Sequence, residues 1–199
     1  MLCVKLKKYD VACKATTGGV SRVWLFDRSD FDFTQAASDV DGNKPVYTAI
    51  ARRGGATADG GGNLFPVLFQ YKEGQYQYTQ SKTGSSVKYE HTLTLLMPDL
   101  SHFITQWNER VDEASTCCGV GLIVELNSGK VIVLAEKYVN GEPIREWRME
   151  QNGSTGDSGK LFEDPNGQTT KLVGDYNRSA YEYTGGIASL IALEGDDES

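Results

Sequence analysis

The sequence is poor in the residues on which most metal and catalytic sites depend. Two histidines and four cysteines are present, and the cysteines supply a single adjacent pair, Cys117 and Cys118, where zinc sites repeat paired ligands at regular spacing. Alternation places His91 on a strand face, and His102 falls on the wet side of a predicted helix. We therefore predict no metal site and no bound cofactor, and we expect Cys3, Cys13 and the adjacent pair to be reduced, buried thiols.

Motifs for nucleotide binding and for serine hydrolysis are also missing. The Gly-rich residues 51–63 precede a predicted strand, whereas a phosphate loop ends in Lys-Ser/Thr and opens a helix. The triplet Asp157-Ser158-Gly159 has no histidine placed by motif to serve it and no sharp elbow around it. These absences favour a protein without catalytic residues. The enzyme hypothesis, including a carboxylate pair for glycoside chemistry, predicts Asp157, His91 or His102 in a concave site.

The sequence also lacks an excess of positively charged residues and long apolar runs. The 20 Lys and Arg against 27 Asp and Glu leave a net charge of −7, which argues against a surface for duplex DNA. No run approaches the roughly 20 apolar residues of a membrane span. Residues 1–8 are basic but have no apolar centre of a signal peptide. We expect synthesis and folding in a cytoplasm.

What the chain does have is alternation typical of β-strands. Residues 88–96 alternate most clearly, and a Gln and Tyr alternation over 75–80 predicts a cross-strand aromatic ladder; a base-stacking platform would need interleaved basic residues. Predicted hairpins join 64–71 to 75–81 and 119–126 to 130–138, and 144–150 pairs back onto 130–138. The remaining predicted strands are 3–6, 20–26, 46–50, 169–175 and 186–193.

A single helix is predicted at about residues 98–113. Its buried face is expected to be the stripe Leu100, Phe103, Ile104, Trp107 and Val111. The intervening positions, Asn108 among them, are predicted to be wet. The fold class is therefore mostly β: an antiparallel β-sandwich or barrel with one flanking α-helix and long Gly-rich loops. We predict one domain over residues 1–199.

Four segments fall outside these elements: an N-terminal arm at 1–17, Gly-rich 51–63, a second long loop at 151–168 and an acidic tail at 194–199. Unstructured loops beyond about 12–15 residues are usually functional or disordered. A loop or arm that becomes ordered on a neighbouring copy can build a ring. The predicted inter-subunit loop residues are Arg52, Arg53, Gly54, Gly55, Asp59, Gly60, Gly61 and Gly62.

The order of these elements resembles that of the tail tube (major tail) proteins of tailed bacteriophages. The similar parts are the strand at 89–96 with its helix, the 122–134 hairpin, the 51–63 loop and the strand at 187–193. Residues 18–24 also resemble structural proteins of phages that infect Bacteroidetes-type hosts. The resemblance implies a virion protein made in the host cytoplasm. Its copies would stack as hexameric rings around a DNA channel and contact tape-measure, terminator and baseplate proteins.

The acidic balance suits such a channel, because a negative wall repels passing DNA. The predicted lumen-facing acids are Glu125, Glu136, Glu146 and Glu150; the alternative for each is an ordinary solvated strand face. Other phage functions, a tail terminator, head–tail connector or capsid-associated protein, would give a similar pattern. A carbohydrate-binding β-sandwich is a further alternative, and it predicts that Trp24, Trp107 or Trp147 is exposed.

Overall fold

The computed structural model describes residues 18–27, 30–37, 45–54, 62–98, 100–117, 120–134, 138–139, 142–143, 150–158, 167–176 and 179–195. In chain order the strands are β1 Val20–Phe26, β2 Phe31–Ala37, β3 Pro45–Arg52, β4 Phe65–Pro66, β5 Gly74–Thr83, β6 Ser86–Pro98, β7 Gly121–Leu126, β8 Val131–Leu134, β9 Tyr138–Val139, β10 Glu142–Pro143, β11 Glu150–Gln151, β12 Thr155–Asp157, β13 Gly167–Tyr176 and β14 Tyr181–Tyr183. The helices are α1 His102–Cys117 and α2 Ile187–Ile191. The predicted fold class, mostly β with a flanking helix, is confirmed.

Two sheets carry the fold. The larger sheet has the order β2-β3-β14-β8-β7-β1-β4, and the smaller has β11-β13-β6-β5 with β12 also paired to β13. All these pairings are antiparallel except β14 with β3, which is parallel. The predicted hairpin around Asn127-Ser128-Gly129 is confirmed as β7–β8, which pairs Leu122 with Leu134.

The larger sheet is buried on both faces. Val23 and Leu25 of β1 point into a first core shared with the smaller sheet, where Leu93, Leu95 and Leu172 lie. The alternate residues Trp24 and Phe26 point into a second core with residues of β2, β3, β14 and α2. Burial on both faces explains why β1 and β7 carry continuous apolar runs in place of clean alternation.

Helix α1 connects β6 of the smaller sheet to β7 of the larger sheet and packs against the first core. Its buried face is Ile104, Trp107, Asn108 and Val111, at helical spacing i, i+3, i+4 and i+7. Ser101 precedes the helix, and its hydroxyl accepts a hydrogen bond from the Ile104 amide at 3.3 Å. None of the described helices meets the length and apolarity that crossing a membrane requires.

The predicted helix face is therefore wrong at three positions. Leu100 is exposed and lies before Ser101, so it is outside the helix. Phe103 is 76% exposed, because it lies about 90° around the axis from the centre of the buried face at 100° per residue. Asn108, predicted to be wet, is buried. Ile104, Trp107 and Val111 pack as predicted.

The predicted hairpin of 64–71 with 75–81 is wrong. β5 pairs with β6 along its whole length, around a turn at Gly84. The segment before it crosses between the sheets: Phe65 and Pro66 pair with β1, and the Gln70 amide bonds to the Leu96 carbonyl at 2.7 Å. Proline has no N–H for a ladder, which suits a very short strand at the sheet edge.

Two further strand predictions differ from the structure at the C-terminal end. Residues 187–191 form α2, whose Leu190 is buried in the second core; an apolar run of five residues does not distinguish a strand from a helix. Glu150 pairs with Val173 of β13, so it is not aligned with β8, whose described neighbours are β7 and β14. The predicted strand at 3–6 and residues 144–149 lie outside the described residues.

Candidate functional site

A cleft of about 740 Å³ opens at the β1 edge of the larger sheet. β4 pairs with β1 only at Trp24 and Leu25, and the Val67 amide adds one bond to the Val23 carbonyl at 2.9 Å. The chain then leaves β1 towards the smaller sheet. Among the described residues no strand accompanies the start of β1, Val20 to Arg22, on this side. The cleft is the gap between that open edge and the departing segment.

Large apolar side chains stand exposed around this gap. Leu68 is 85% exposed, Tyr71 83% and Ile191 46%, and all three line the cleft. We call these three residues, with the open edge of β1, the cleft surface. Contiguous exposed apolar area on a soluble protein is typical of an interaction site.

The floor of the cleft is anchored to the C-terminal segment. Trp24 is buried, and its indole Nε1 donates to Glu194 Oε1 at 2.6 Å. The Leu64 amide bonds to the Leu193 carbonyl at 2.9 Å, and Leu64 and Glu194 form a parallel bridge. The base of the cleft is therefore built from contacts between residues that are distant in sequence.

Arg52, predicted to be an inter-subunit loop residue, is bound within its own subunit. It ends β3, and its guanidinium donates to the Gly62 carbonyl, to Asn63 Oδ1 at 3.1 Å and to the Leu193 carbonyl at 3.4 Å. These bonds tie the end of β3 to residues 62–63 and to the C-terminal segment of the same chain, and an inter-subunit contact of Arg52 stays a prediction.

Other residues of that predicted loop are placed as follows. Arg53 forms an ion pair with Asp32, with Nε 3.0 Å from Oδ1. Gly54 is exposed and Gly62 is buried. Gly55, Asp59, Gly60 and Gly61 lie outside the described residues.

Two of the four predicted lumen-facing acids, Glu125 and Glu150, lie in the described part of the chain. Glu125 is half-buried, and its Oε2 lies 3.5 Å from Arg22 Nε, so its charge is partly compensated; its place facing a lumen stays a prediction. Glu136 and Glu146 lie outside the described residues. Glu150 is placed in β11 by its backbone alone.

The predicted aromatic ladder is confirmed, and it surrounds a histidine. Tyr76, Tyr78 and Tyr89 lie with their ring centroids 5.9–6.3 Å from that of His91, and Tyr176 meets its edge at 4.8 Å. His91 is completely buried, and its Nδ1 lies 2.7 Å from the Tyr76 hydroxyl. The cluster joins β5, β6 and β13 and supports the smaller sheet.

Burial, with the charge of nearby Tyr78 as a smaller cause, raises the pKa of the Tyr76 hydroxyl well above its usual range. The unfolded chain loses this proton near pH 10, while the folded chain retains it. We therefore expect the free energy of unfolding to fall as pH rises above about 10. Urea unfolding of wild type and Tyr76→Phe across this range measures it.

The Tyr76→Phe variant is expected to lose about 1 kcal/mol at neutral pH, with the hydrogen bond to His91, and to show a flatter alkaline decline. Tyr78→Phe is the matched control, because Tyr78 is exposed and lies on the same strand, and its replacement leaves the burial of Tyr76, the larger cause of the raised pKa, in place. Parallel alkaline declines for Tyr76→Phe and wild type would contradict the assignment.

The other candidate residues lie apart from the cleft. His102 and Asp157 are exposed and His91 is buried, and none of the three lines it. Within the described part of the chain, no group of three or more His, Cys, Asp or Glu could hold a metal ion. Of the tryptophans offered as sugar-binding residues, Trp24 is buried, Trp107 packs half-buried against the first core, and Trp147 is outside the described residues.

No protein-family model, curated protein or solved structure matches this chain. Its function is therefore inferred from the cleft surface and the sheet edges.

Proposed function

We propose that this chain is a structural subunit that assembles with copies of itself into the tail tube of a tailed bacteriophage. The observation that carries the proposal is the cleft surface: exposed Leu68, Tyr71 and Ile191 beside an open stretch of β1. Burying such a side chain stabilises a protein by about 1.5–3 kcal/mol. A monomer in water does not gain this free energy. A second copy of the chain supplies the burial in a ring.

A second feature supports assembly through the sheets. β5 is ten residues long, and among the described strands it pairs only with β6. Its outward edge carries no proline and a single lysine, Lys82, near the tip. Natural edge strands are usually short, charged or covered to prevent pairing with another chain. An edge this long and this lightly protected suits ordered contact between copies.

The charge supports the channel function. Each copy carries −7, so a ring of copies is strongly negative as a whole and DNA in transit is repelled from it. The proposed partners are therefore other copies, in the ring and between stacked rings, and the tape-measure, terminator and baseplate proteins of the tail. The proposed location is the virion.

Electron microscopy of the purified protein in negative stain tests this proposal. Wild type is expected to form rings that stack into tubes. The double variant Leu68→Ser/Tyr71→Ser is expected to stay folded by circular dichroism and to sediment as a monomer, because it removes exposed apolar area and leaves the cores intact. Phe103→Ser is the matched control: it removes an equally exposed aromatic side chain that does not line the cleft.

Three results bear on the proposal. A wild-type protein that remains monomeric at every concentration and salt condition contradicts it. Closed rings that never stack identify a tail terminator or head–tail connector in its place. Equal assembly by wild type and by the double variant would show that the cleft surface is not a contact between copies.

A further inference from the structure

We propose that the cleft receives residues 2–6 of a second copy, which pair with the open stretch of β1 as an added strand. This inference rests on the proposed self-assembly and names the contact that produces it. It assigns a function to an N-terminal segment that the sequence marks as a short strand.

The cleft has both features that strand addition requires. Main-chain hydrogen bonds supply affinity in this mode, and pockets for alternate side chains supply specificity. Along Val20 to Arg22, the backbone groups directed away from β7 face the cleft. Leu68, Tyr71 and Ile191 provide the apolar wall. The gap ends where Val67 bonds to Val23, so it accommodates a short strand.

The sequence of the segment matches this wall. Leu2, Val4 and Leu6 alternate with Cys3 and Lys5. An extended strand directs alternate side chains to opposite faces. One face of residues 2–6 is therefore entirely apolar, and the other presents a charge to water.

Charge also favours this occupant. Lys5 lies within the segment, and Lys7 and Lys8 follow it directly. Glu194 lines the cleft, and the acidic residues 196–198 follow within about 14 Å of chain, at 3.3–3.6 Å per residue. The cations of the cleft are already engaged: Arg22 pairs with Glu125, and the Lys72 ammonium lies 5.1 Å from the Tyr71 ring centroid.

The occupant is assigned to a second copy because the inference rests on self-assembly. Residues 2–6 docked on their own chain would cover the cleft surface and leave no contact there between copies. The two arrangements differ in oligomeric state, so the experiments below distinguish them.

Complementation between two full-length variants tests the contact. The arm variant, Val4→Asp/Leu6→Asp, keeps its cleft; the cleft variant, Leu68→Asp/Tyr71→Asp, keeps its arm. Each alone is expected to be monomeric. Mixed, they are expected to form a complex with one copy of each, because a single intact arm meets a single intact cleft. Phe103→Asp, the matched control, is expected to assemble as wild type does.

A synthetic peptide of residues 1–9, with Cys3→Ser, provides a second measurement that does not depend on assembly. It is expected to bind the arm variant, and to bind about tenfold more weakly when Leu68→Asp is added. Hydrogen exchange along Val20 to Arg22 is expected to slow when the peptide is bound, since main-chain pairing protects the amides that are directed away from β7.

The outcomes separate this inference from the proposed function. Tubes formed equally well by the arm variant would overturn the inference and leave the tube proposal standing. One-to-one complexes in the mixture, with no rings from wild type, would support the contact between arm and cleft and would contradict the tube proposal. A monomeric wild type that excludes the peptide, while the arm variant binds it, would show that each chain fills its own cleft, and would overturn the second-copy assignment.

Discussion

Replacing Trp24 by alanine is expected to lower the free energy of unfolding by about 3–5 kcal/mol, the usual range for a large buried aromatic side chain. Trp24 is 1% exposed and belongs to the second core. It lies on β1 between β7 and β4, opposite Ile123 and Pro66. Its removal leaves a cavity that the surrounding strands cannot close without breaking their pairing. For a domain of marginal stability this is a large share of the total.

A second part of the Trp24 effect concerns the C-terminal segment. The indole donates to Glu194, so the alanine variant also releases the anchor beneath the cleft. Trp24→Phe keeps most of the ring and loses only this hydrogen bond, which makes it the matched control. Urea unfolding gives the two stabilities, and hydrogen exchange at Leu64 and Leu193 reports the anchor. A cost below 1 kcal/mol for Trp24→Ala would contradict the burial that the structure shows.

The next largest expected effect lies between α1 and β13. Asn108 Nδ2 donates to the Ile104 carbonyl at 3.1 Å, and the Thr170 hydroxyl donates to Asn108 Oδ1 at 2.6 Å. Both side chains are buried. Asn108→Ala removes the acceptor and leaves the Thr170 hydroxyl in an apolar setting, which costs about 1–3 kcal/mol.

A double-mutant cycle with Thr170→Val isolates this pair. Valine matches threonine in shape and removes the hydroxyl, so the double variant should be more stable than the sum of the single effects implies, by about 0.5–3 kcal/mol. Thr105→Ala is the control on the same helix, because Thr105 is exposed and its hydroxyl bonds to the Ser101 carbonyl one turn earlier. Strict additivity would contradict a direct link through the hydrogen bond.

Asn108 also shows why the helical stripe predicted the wrong set of buried residues. The sequence pattern treats every polar residue as wet, yet a buried amide is stable once its groups are bonded, and Thr170 lies 62 positions away. No local signal reports that meeting. Phe103 is the converse case, an aromatic side chain that period alone assigned to the core.

The sequence did not predict the cleft, for the same reason. Leu68 and Tyr71 belong to a segment whose apolar residues predicted a strand paired to β5. Their exposure depends on β5 choosing β6, and on the segment crossing from one sheet to the other. Residues 2–6, in contrast, have an apolar alternation that the sequence alone shows.

Alternation along the chain was sufficient for the mostly β class, for strands β1, β3, β6 and β13, for the β7–β8 hairpin and for the presence of α1, because those signals are spacings between neighbours. It did not predict β2, Phe31–Ala37. Folding decided which strands pair, which face of α1 is buried, that residues 187–191 form a helix, and where apolar side chains stay in water. Each of these outcomes depends on contacts between residues far apart in sequence, whose free energy no short window of sequence contains.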